Sequence, residues 1–433
     1  KKLSNDKHVK ILRNAMIRTD SNELSMNWDE YRKIDHSFSN VISGEMPATN
    51  QKSSGRCWGF AGLNLFRVYL GRKHNLKNFE FSQSYFMFWD KLEKANYFLE
   101  SIIDTISEKS DSRIVMHLLS YPLEDGGQWD MWVNLINKYG VLPQTEMSES
   151  FSTSQSAQMN KMISNKLREY ASELRNFHKN GESLEKLREL KDKMIEEVFK
   201  MLSMHIGTPP QTFDWQVRNK DKKFLRFENL TPQSFFKEHV ALNLEDYVCL
   251  INCPMKDKEY NKVYTVEHLG NVIEGRNIRY LNVTSKEMKD ASIKSIKDDN
   301  PVWFGCDVGK YFHRNLGVMD TNLFDYNFFY DSEFKMNKAQ RLEYGQSMMT
   351  HAMLFTGVDL DEKGNPVKWR VENSWGKKGG SKGYHIMSDD WFDEYNYEVV
   401  VHKDYLSNEL NDLFQNAEAI PLKPWDPMGA LAK

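Results

Sequence analysis

Gln51-Lys52-Ser53-Ser54-Gly55-Arg56-Cys57-Trp58 is the stretch from which the chain is best read. From Cys57 to His74 the apolar residues Phe60, Leu63, Phe66, Val68 and Leu70 recur without a proline, which predicts a buried helix that starts at the cysteine. Gly55 and Gly71 punctuate its two ends. A thiol in a first helical turn meets unpaired N–H groups and the positive end of the helix dipole, and both favour the thiolate. Gln51 precedes the turn at Gly55, so its side-chain amide is placed to return beside the sulfur. That amide and the Cys57 N–H would aim two donors at a developing oxyanion. Standing alone, a cysteine at a helix start reads better as a structural thiol; a functional reading needs partners elsewhere.

Outward from this helix, residues 1–50 are polar, with an amphipathic stretch at Val9–Met16 and a loop at Met46–Gln51. Phe81–Leu99 predicts a second, aromatic-rich helix. Asp125-Gly126-Gly127-Gln128 breaks the chain before an amphipathic helix at Trp129–Lys138, which Gly140 closes. Between 155 and 205 the apolar residues Met159, Met162, Leu167, Tyr170 and Leu174, then Leu184, Leu187, Met194, Val198 and Met201, keep helical spacing in a Lys/Glu-rich background. Asn180-Gly181 divides them, so a helical hairpin packed on the body is expected. After Pro209-Pro210 come short β-branched and aromatic runs, Tyr247–Asn252, Val263–Val266, Tyr280–Val283 and Val302–Cys306, which predict strands. The result is an α+β fold in two lobes. Residues 1–150 hold the helical lobe with Cys57, 151–210 the helical insertion, 211–420 the β-rich lobe and 421–433 a C-terminal arm.

Two further segments supply the missing partners: Ser347-Met-Met-Thr-His351-Ala-Met353 and Trp369-Arg-Val-Glu-Asn373-Ser-Trp375-Gly376. Asp359–Pro366 between them is turn-rich, and both flanks are strand-like, so the unit reads as a β-hairpin. The midpoint of 351 and 373 is position 362, inside that turn. An unbulged hairpin would therefore set His351 opposite Asn373, with Cβ atoms about 4.5–5.5 Å apart. Asn373 could hold one imidazole nitrogen and leave the other for a proton partner. Cys57, His351 and Asn373 then form a nucleophile, a base and an orienting group.

These strings carry a resemblance. Ser54-Gly-Arg-Cys57-Trp58 is similar to the papain-family Cys-Gly-Ser-Cys-Trp signature, and Asn373-Ser-Trp375-Gly resembles that family's Asn-Ser-Trp-Gly. Asp125-Gly126-Gly127-Gln128 resembles the glycine pair that binds substrate backbone in papain-like enzymes; glycine permits that close approach. Ser54 stands where the papain signature has its first cysteine, so the disulfide of secreted relatives cannot form there. His351 lies 294 positions after Cys57 (351 less 57), against papain-type spacing of roughly 130–150. More than a hundred residues are therefore inserted, and the helical hairpin at 155–205 is the candidate for them. A papain-like chain with helical insertions and no disulfide resembles the bleomycin hydrolase/aminopeptidase C family, and Asn50–Trp58, Thr350–Met353, Arg370–Gly376 and Trp425–Lys433 support that over nearly the whole chain.

The resemblance implies a two-lobed papain-like fold with a helical lobe and a β-barrel-like lobe. It implies a cysteine aminopeptidase of broad specificity, acting also on bleomycin-type amides, with Cys57 as nucleophile, His351 as base, Asn373 as orienter and Gln51 as oxyanion donor. Gly126, Gly127 and Trp375 line the substrate site. A homohexameric ring is implied too. Pro421, Pro424 and Pro427 suit an extended polyproline segment. By the resemblance, the following Met428–Lys433 enters the cleft, Ala432 and Lys433 position the substrate's free amino group, and Lys433 is removed by self-processing. The alternatives are an endopeptidase without this gate and an idle scaffold that kept the fold.

Composition narrows the rest. Lys plus Arg is 58 against 61 Asp plus Glu, a net charge of −3, so no global field draws in nucleic acid or anionic lipid. No run approaches the roughly 18 apolar residues of a membrane span, and Lys1–Lys10 lacks the apolar segment of a secretory signal. Four cysteines, Cys57, Cys249, Cys253 and Cys306, fit reduced thiols in a cytoplasmic enzyme better than a disulfide scaffold. Cys249-Leu-Ile-Asn-Cys253 lacks a second ligand pair, so it reads as two buried thiols, and no metal or cofactor is expected. Peptides are the expected partners. Asn282-Val-Thr284 fits a glycosylation sequon that the cytoplasm would leave unused. His385 and His402 have no visible partner.

Overall fold

The computed structural model describes residues 6–433; the first five residues of the charged Lys1–Lys10 stretch lie outside it. Helix α1 (Lys7–Met16) realises the amphipathic stretch at Val9–Met16. Helix α2 (Cys57–Lys73) starts at the cysteine and is buried on all sides, as an evenly apolar helix must be. Helix α3 (Gln83–Asp104) begins two residues later than expected because the Ser82 hydroxyl accepts the Tyr85 N–H and caps it. Helix α4 (Trp129–Tyr139) ends at Gly140, whose φ of 69° favours glycine. The expected hairpin is α5 (Ala157–Lys179) and α6 (Leu184–Ile206), both packed on α3. Its buried stripe runs through Met159, Ile163, Leu167, Tyr170 and Leu174, while Met162 and Leu184 turn to solvent.

The strands are β1 (Asn40–Val41), β2 (Phe213–Arg218), β3 (Phe224–Leu230), β4 (Tyr247–Ile251), β5 (Lys262–Val266), β6 (Tyr280–Asn282), β7 (Val302–Cys306), β8 (Phe312–His313), β9 (Val318–Met319), β10 (His351–Leu360), β11 (Pro366–Glu372), β12 (Tyr384–Ser388), β13 (Asn396–His402) and β14 (Ile420–Leu422). Among the described residues, twelve of them form one sheet, in the order β14-β5-β6-β4-β13-β7-β10-β11-β12-β9-β8, with β1 added to β10. This path ends at β14 on one side and β8 on the other. The class is α+β, with mixed helices and one large sheet. β2 and β3 pair separately as a hairpin.

The sheet is covered on both faces, which explains why its strands read as unbroken apolar runs. Trp303, Leu354 and Val400 face a core shared with α2, α4 and the helical hairpin. Their neighbours Phe304, Phe355, Val399 and Val401 face a second core with Trp369, Trp391 and Phe392. The segment after α1 reaches across to the sheet, where Asn40 and Val41 pair with Val358 and Gly357. No described helix is long and apolar enough to cross a membrane.

Two contacts tie α2 to the sheet. The Trp303 indole N–H donates to the Trp58 carbonyl at 3.1 Å. Arg67 of α2 pairs with Glu372, the last residue of β11; both side chains are 1% exposed. Burial lifts the Glu372 carboxyl above its ordinary range, and Arg67 opposes that lift. The residue after Glu372 is Asn373, so this ion pair sets the nucleophile helix against the Asn373 loop.

Candidate active site

Cys57 occupies the first position of α2 and is fully buried. The Ala352 N–H points at its sulfur at 3.4 Å, and Ala352 follows His351 at the head of β10. Burial pushes the thiol up to about 12, although the N–H groups of Ala352, Trp58 and Cys57 itself pull the other way. The sequence predicts a favoured thiolate from the helix start. Burial opposes that preference, and the N–H groups at the helix start support it.

The loop before Cys57 is clamped by polar groups at every residue. The Ser53 N–H donates to the Ser154 carbonyl at 2.9 Å, just ahead of α5. The Gly55 N–H donates to the Asp125 carboxylate at 2.9 Å. Arg56, 1% exposed, donates to both oxygens of Glu149 at 2.9 and 2.8 Å and to the Ser54 hydroxyl at 2.8 Å. Asp125 also receives Lys91 at 2.6 Å, Asn160 at 2.6 Å and the Ser156 hydroxyl. Burial pushes the Asp125 carboxyl up, but Lys91 and these hydrogen bonds more than reverse it and hold the group well below the ordinary carboxylate range. The helical hairpin thus buttresses the loop before Cys57 through Asp125.

His351 and Asn373 meet, though not as direct opposites. The β10–β11 register pairs Leu354 with Glu372 and Phe355 with Val371, then shifts between Phe355 and Gly357 and again between Asp359 and Leu360. The two shifts cancel, and the pairs Leu360–Pro366 and Leu354–Glu372 both centre the hairpin on position 363 rather than 362, so extending the local register would oppose His351 to Trp375. An offset of two preserves the strand face, so His351 and Asn373 remain diagonal neighbours. His351 Nε2 lies 2.9 Å from Asn373 Oδ1, leaving the other ring nitrogen uncommitted. Burial brings His351 down to about 4, Asn373 acts against that, and Arg314 adds to it. Trp375 covers the imidazole with ring centroids 4.9 Å apart, and the Arg314 guanidinium lies 4.0 Å over the indole.

Gln51 is held in place rather than free. Its Nε2 donates to the Ser54 carbonyl at 2.6 Å, and its Oε1 accepts the Ser374 hydroxyl at 2.5 Å. One amide hydrogen is thereby committed and the second is left over. Gln51 lines a cleft of about 800 Å³ together with Gly55, Arg314, His351, Trp375 and Lys433.

Gly126 and Gly127 receive the arm. Gly127 and Ala432 exchange two backbone hydrogen bonds, at 3.1 and 3.3 Å, as an antiparallel bridge, and the Lys433 N–H donates to the Thr350 carbonyl at 3.0 Å. A Cβ on Gly126 would stand 2.8 Å from Leu431 Cβ, and one on Gly127 would enter the Trp58 ring at 2.5 Å. Glycine is required at both. The approach to the cleft is not a polyproline run. Pro421 lies in β14, paired in parallel with β5, and Pro427 opens a single 3-10 turn. A sheet edge offered pairing that a solvated polyproline segment lacks, and edge strands tolerate proline.

Sequence reasoning passed over His385, whose Nε2 sits 3.5 Å from Asn373 Nδ2, behind the His351–Asn373 pair. Its place two residues beyond Gly383, which accepts the Asn373 N–H, puts it on the Asn373 side of β12. It also passed over Asp125, Glu149 and Arg56. Cys249, Cys253 and Cys306 are free and buried, and the Cys249 thiol donates to Glu398 at 2.8 Å. No cluster of three or more His, Cys, Asp or Glu placed to hold a metal is found among the described residues.

Comparison with known proteins follows the same lines. The model of the Peptidase C1-like family matches residues 1–429. Aminopeptidase C of Listeria innocua is 50% identical over 385 residues, covering 89% of this chain and 86% of the relative. Bleomycin hydrolase of Mus musculus is 43% identical over 440 residues, covering 100% of this chain and 96% of the relative. Among solved structures, PepW from Lactobacillus rhamnosis HN001 superimposes with a TM-score of 0.97 at 44% identity, covering 100% of this chain and 97% of that one.

Proposed function

This chain belongs to the Peptidase C1-like family of cysteine peptidases, and from that premise we propose that it is a cysteine aminopeptidase that releases N-terminal residues from peptides through Cys57, His351 and Asn373. The Cys57 thiol passes its proton to the uncommitted nitrogen of His351 as sulfur attacks the peptide carbonyl. The second Gln51 amide hydrogen and the Cys57 N–H receive the oxyanion. His351 then gives its proton to the leaving amine, and a thioester on Cys57 remains. Water attacks the thioester, His351 takes its proton, the acid departs and the thiol is restored.

One observation carries the restriction to free N-termini: the antiparallel bridge between Gly127 and Ala432, with the Lys433 N–H on Thr350. A strand bound this way occupies the ground that residues upstream of the scissile bond need. Cleavage after Ala432 by the enzyme itself would leave a carboxylate one residue from Cys57, where it attracts a substrate ammonium. The same reading takes in the papain-like two-lobed arrangement with its 151–210 insertion, broad side-chain tolerance, action on bleomycin-type amides, a cytoplasmic setting and a homohexamer. Its test is product analysis on a peptide and its N-acetylated twin. Stepwise loss from the free peptide alone, absent in Cys57→Ser, is the expected result. Internal cuts in both peptides would leave an ungated endopeptidase, and no Cys57-dependent cuts would leave a scaffold.

A further inference from the structure

The arm is also fastened upstream of its bridge to Gly127, by an ion pair to a buried lysine. Lys258, its side chain 0% exposed, places Nζ 2.8 Å from Asp426 of the arm and 3.0 Å from Asp257; the Asp426 side chain is 14% exposed. We propose that Lys258 is a specificity-determining positioning residue: through Asp426 it sets the register of the arm and so the preference for free N-termini. This rests on the gated-aminopeptidase reading above and extends it to a residue that touches no substrate.

The Lys258 side is a built socket. Asn282, fully buried at the end of β6, directs its Nδ2 to the carbonyls of Cys253 at 3.0 Å, Lys258 at 3.1 Å and Glu259 at 3.3 Å, and its Oδ1 accepts the Cys253 N–H at 2.9 Å. The loop is shaped by the body of the protein, independently of the arm. On the arm side, Asp426 divides its two oxygens. Oδ2 takes Lys258, while Oδ1 accepts the Met428 N–H at 2.9 Å and caps the 3-10 turn at Pro427–Gly429. That turn redirects the chain from β14 towards Gly127. One carboxylate thus joins the bend to the socket.

The energetics favour this division of labour. Beyond Leu422 the arm is also held by Lys423 on Glu267 at 3.0 Å and by the Arg113 guanidinium 4.0 Å over the Trp425 ring, but Asp426 is the anchor that both meets a buried cation and caps the bend. With the bend fixed, the stretch from Pro427 to Lys433 is presented to the cleft at high effective concentration. Removing Lys258 also leaves Asp426 beside Asp257 with no cation between them, which adds repulsion at the bend.

The test compares kcat/KM for a free-amine aminoacyl amide and its N-acetylated twin in the full-length enzyme, Lys258→Met, Asp426→Asn, Asp257→Asn and a form truncated after Asp426. Lys258→Met and Asp426→Asn are expected to raise acetylated-substrate cleavage at least about tenfold relative to the free amine, towards the truncated form. The free-amine KM should rise with kcat little changed, a split that general loss of structure would not produce. Asp257→Asn, which touches Lys258 but lies off the arm, should keep the original ratio. Should Lys258→Met fail to fold, Asp426→Asn decides alone, because it alters only the arm. Truncation that relaxes the ratio while Asp426→Asn leaves it unchanged would overturn the role of Lys258 and spare the gate. A ratio unmoved by truncation would sink the gate itself, and this inference with it.

Discussion

Asp125 holds the nucleophile loop by a single N–H from Gly55, yet it is itself fixed by Lys91, Ser156 and Asn160. Asp125→Asn keeps the shape but leaves Lys91, 0% exposed, without its carboxylate. Breaking a buried pair in this way costs about 3–5 kcal/mol, so chemical denaturation should show a clearly weaker fold. The pH dependence has a definite sign. A carboxyl depressed by folding contributes stability above its unfolded value of about 3.9, and that contribution is lost as pH falls towards the folded value. Between about pH 5 and about pH 3 the native protein should therefore lose more thermal stability than Asp125→Asn. Cys57 supplies a second residue-level expectation. Burial pushes its thiol up to about 12, and the arm runs along the same cleft. Truncation after Asp426 readmits water, so the pH midpoint of Cys57 alkylation by iodoacetamide should fall by at least about one unit, a tenfold gain in thiolate at neutral pH. An unchanged midpoint would show that the arm does not desolvate the sulfur.

At the scale of elements, the helices were the legible part. Their apolar spacing and capping residues are local, and α2, α4 and the α5–α6 hairpin lie where those signals put them. The four predicted strands after Pro209-Pro210 were legible as runs, but their order in the sheet was not, since pairing depends on contacts distant in sequence. The β10–β11 hairpin shows the boundary well. Arithmetic from the turn brought His351 and Asn373 onto one face, but the hairpin centres on position 363 rather than 362, which moves His351 off the directly opposed position. Gln51 lines the cleft with His351, while its bond to the Ser54 carbonyl depended on a loop shape that no periodicity encodes. Asp125 was invisible as a clamp because its partners come from α3, α5 and the Gly55 loop. The Arg67–Glu372 pair joins α2 to β11 and gives an element-level prediction. Glu372→Gln should lower the unfolding free energy by about 3–5 kcal/mol, because Arg67 stays buried without its counter-charge. Arg67→Met with Glu372→Leu should recover most of that loss in thermal melts. Equal damage from single and double variants would argue that shape, rather than charge, matters there.

For the molecule as a whole, the sequence strings around Cys57, His351 and Asn373 carried the family, and composition could not have done so. What the strings could not convey is how the chain's last segment is supported: an edge strand on β5, a capped turn at Asp426 and a two-residue bridge to the glycine pair. The expected polyproline arm gave way to that succession because each piece meets a prepared surface. The arm pairs with Gly127 through Ala432, and the proposed free-amine specificity rests on that pairing. The most direct measurement is the ratio of kcat/KM for a free-amine aminoacyl amide to that for its N-acetylated twin, taken with the full-length protein, Cys57→Ser and the form truncated after Asp426. The account predicts a large ratio in the full-length protein, no turnover of either substrate by Cys57→Ser, and a ratio near unity after truncation. Equal cleavage of both substrates by the full-length protein would contradict it.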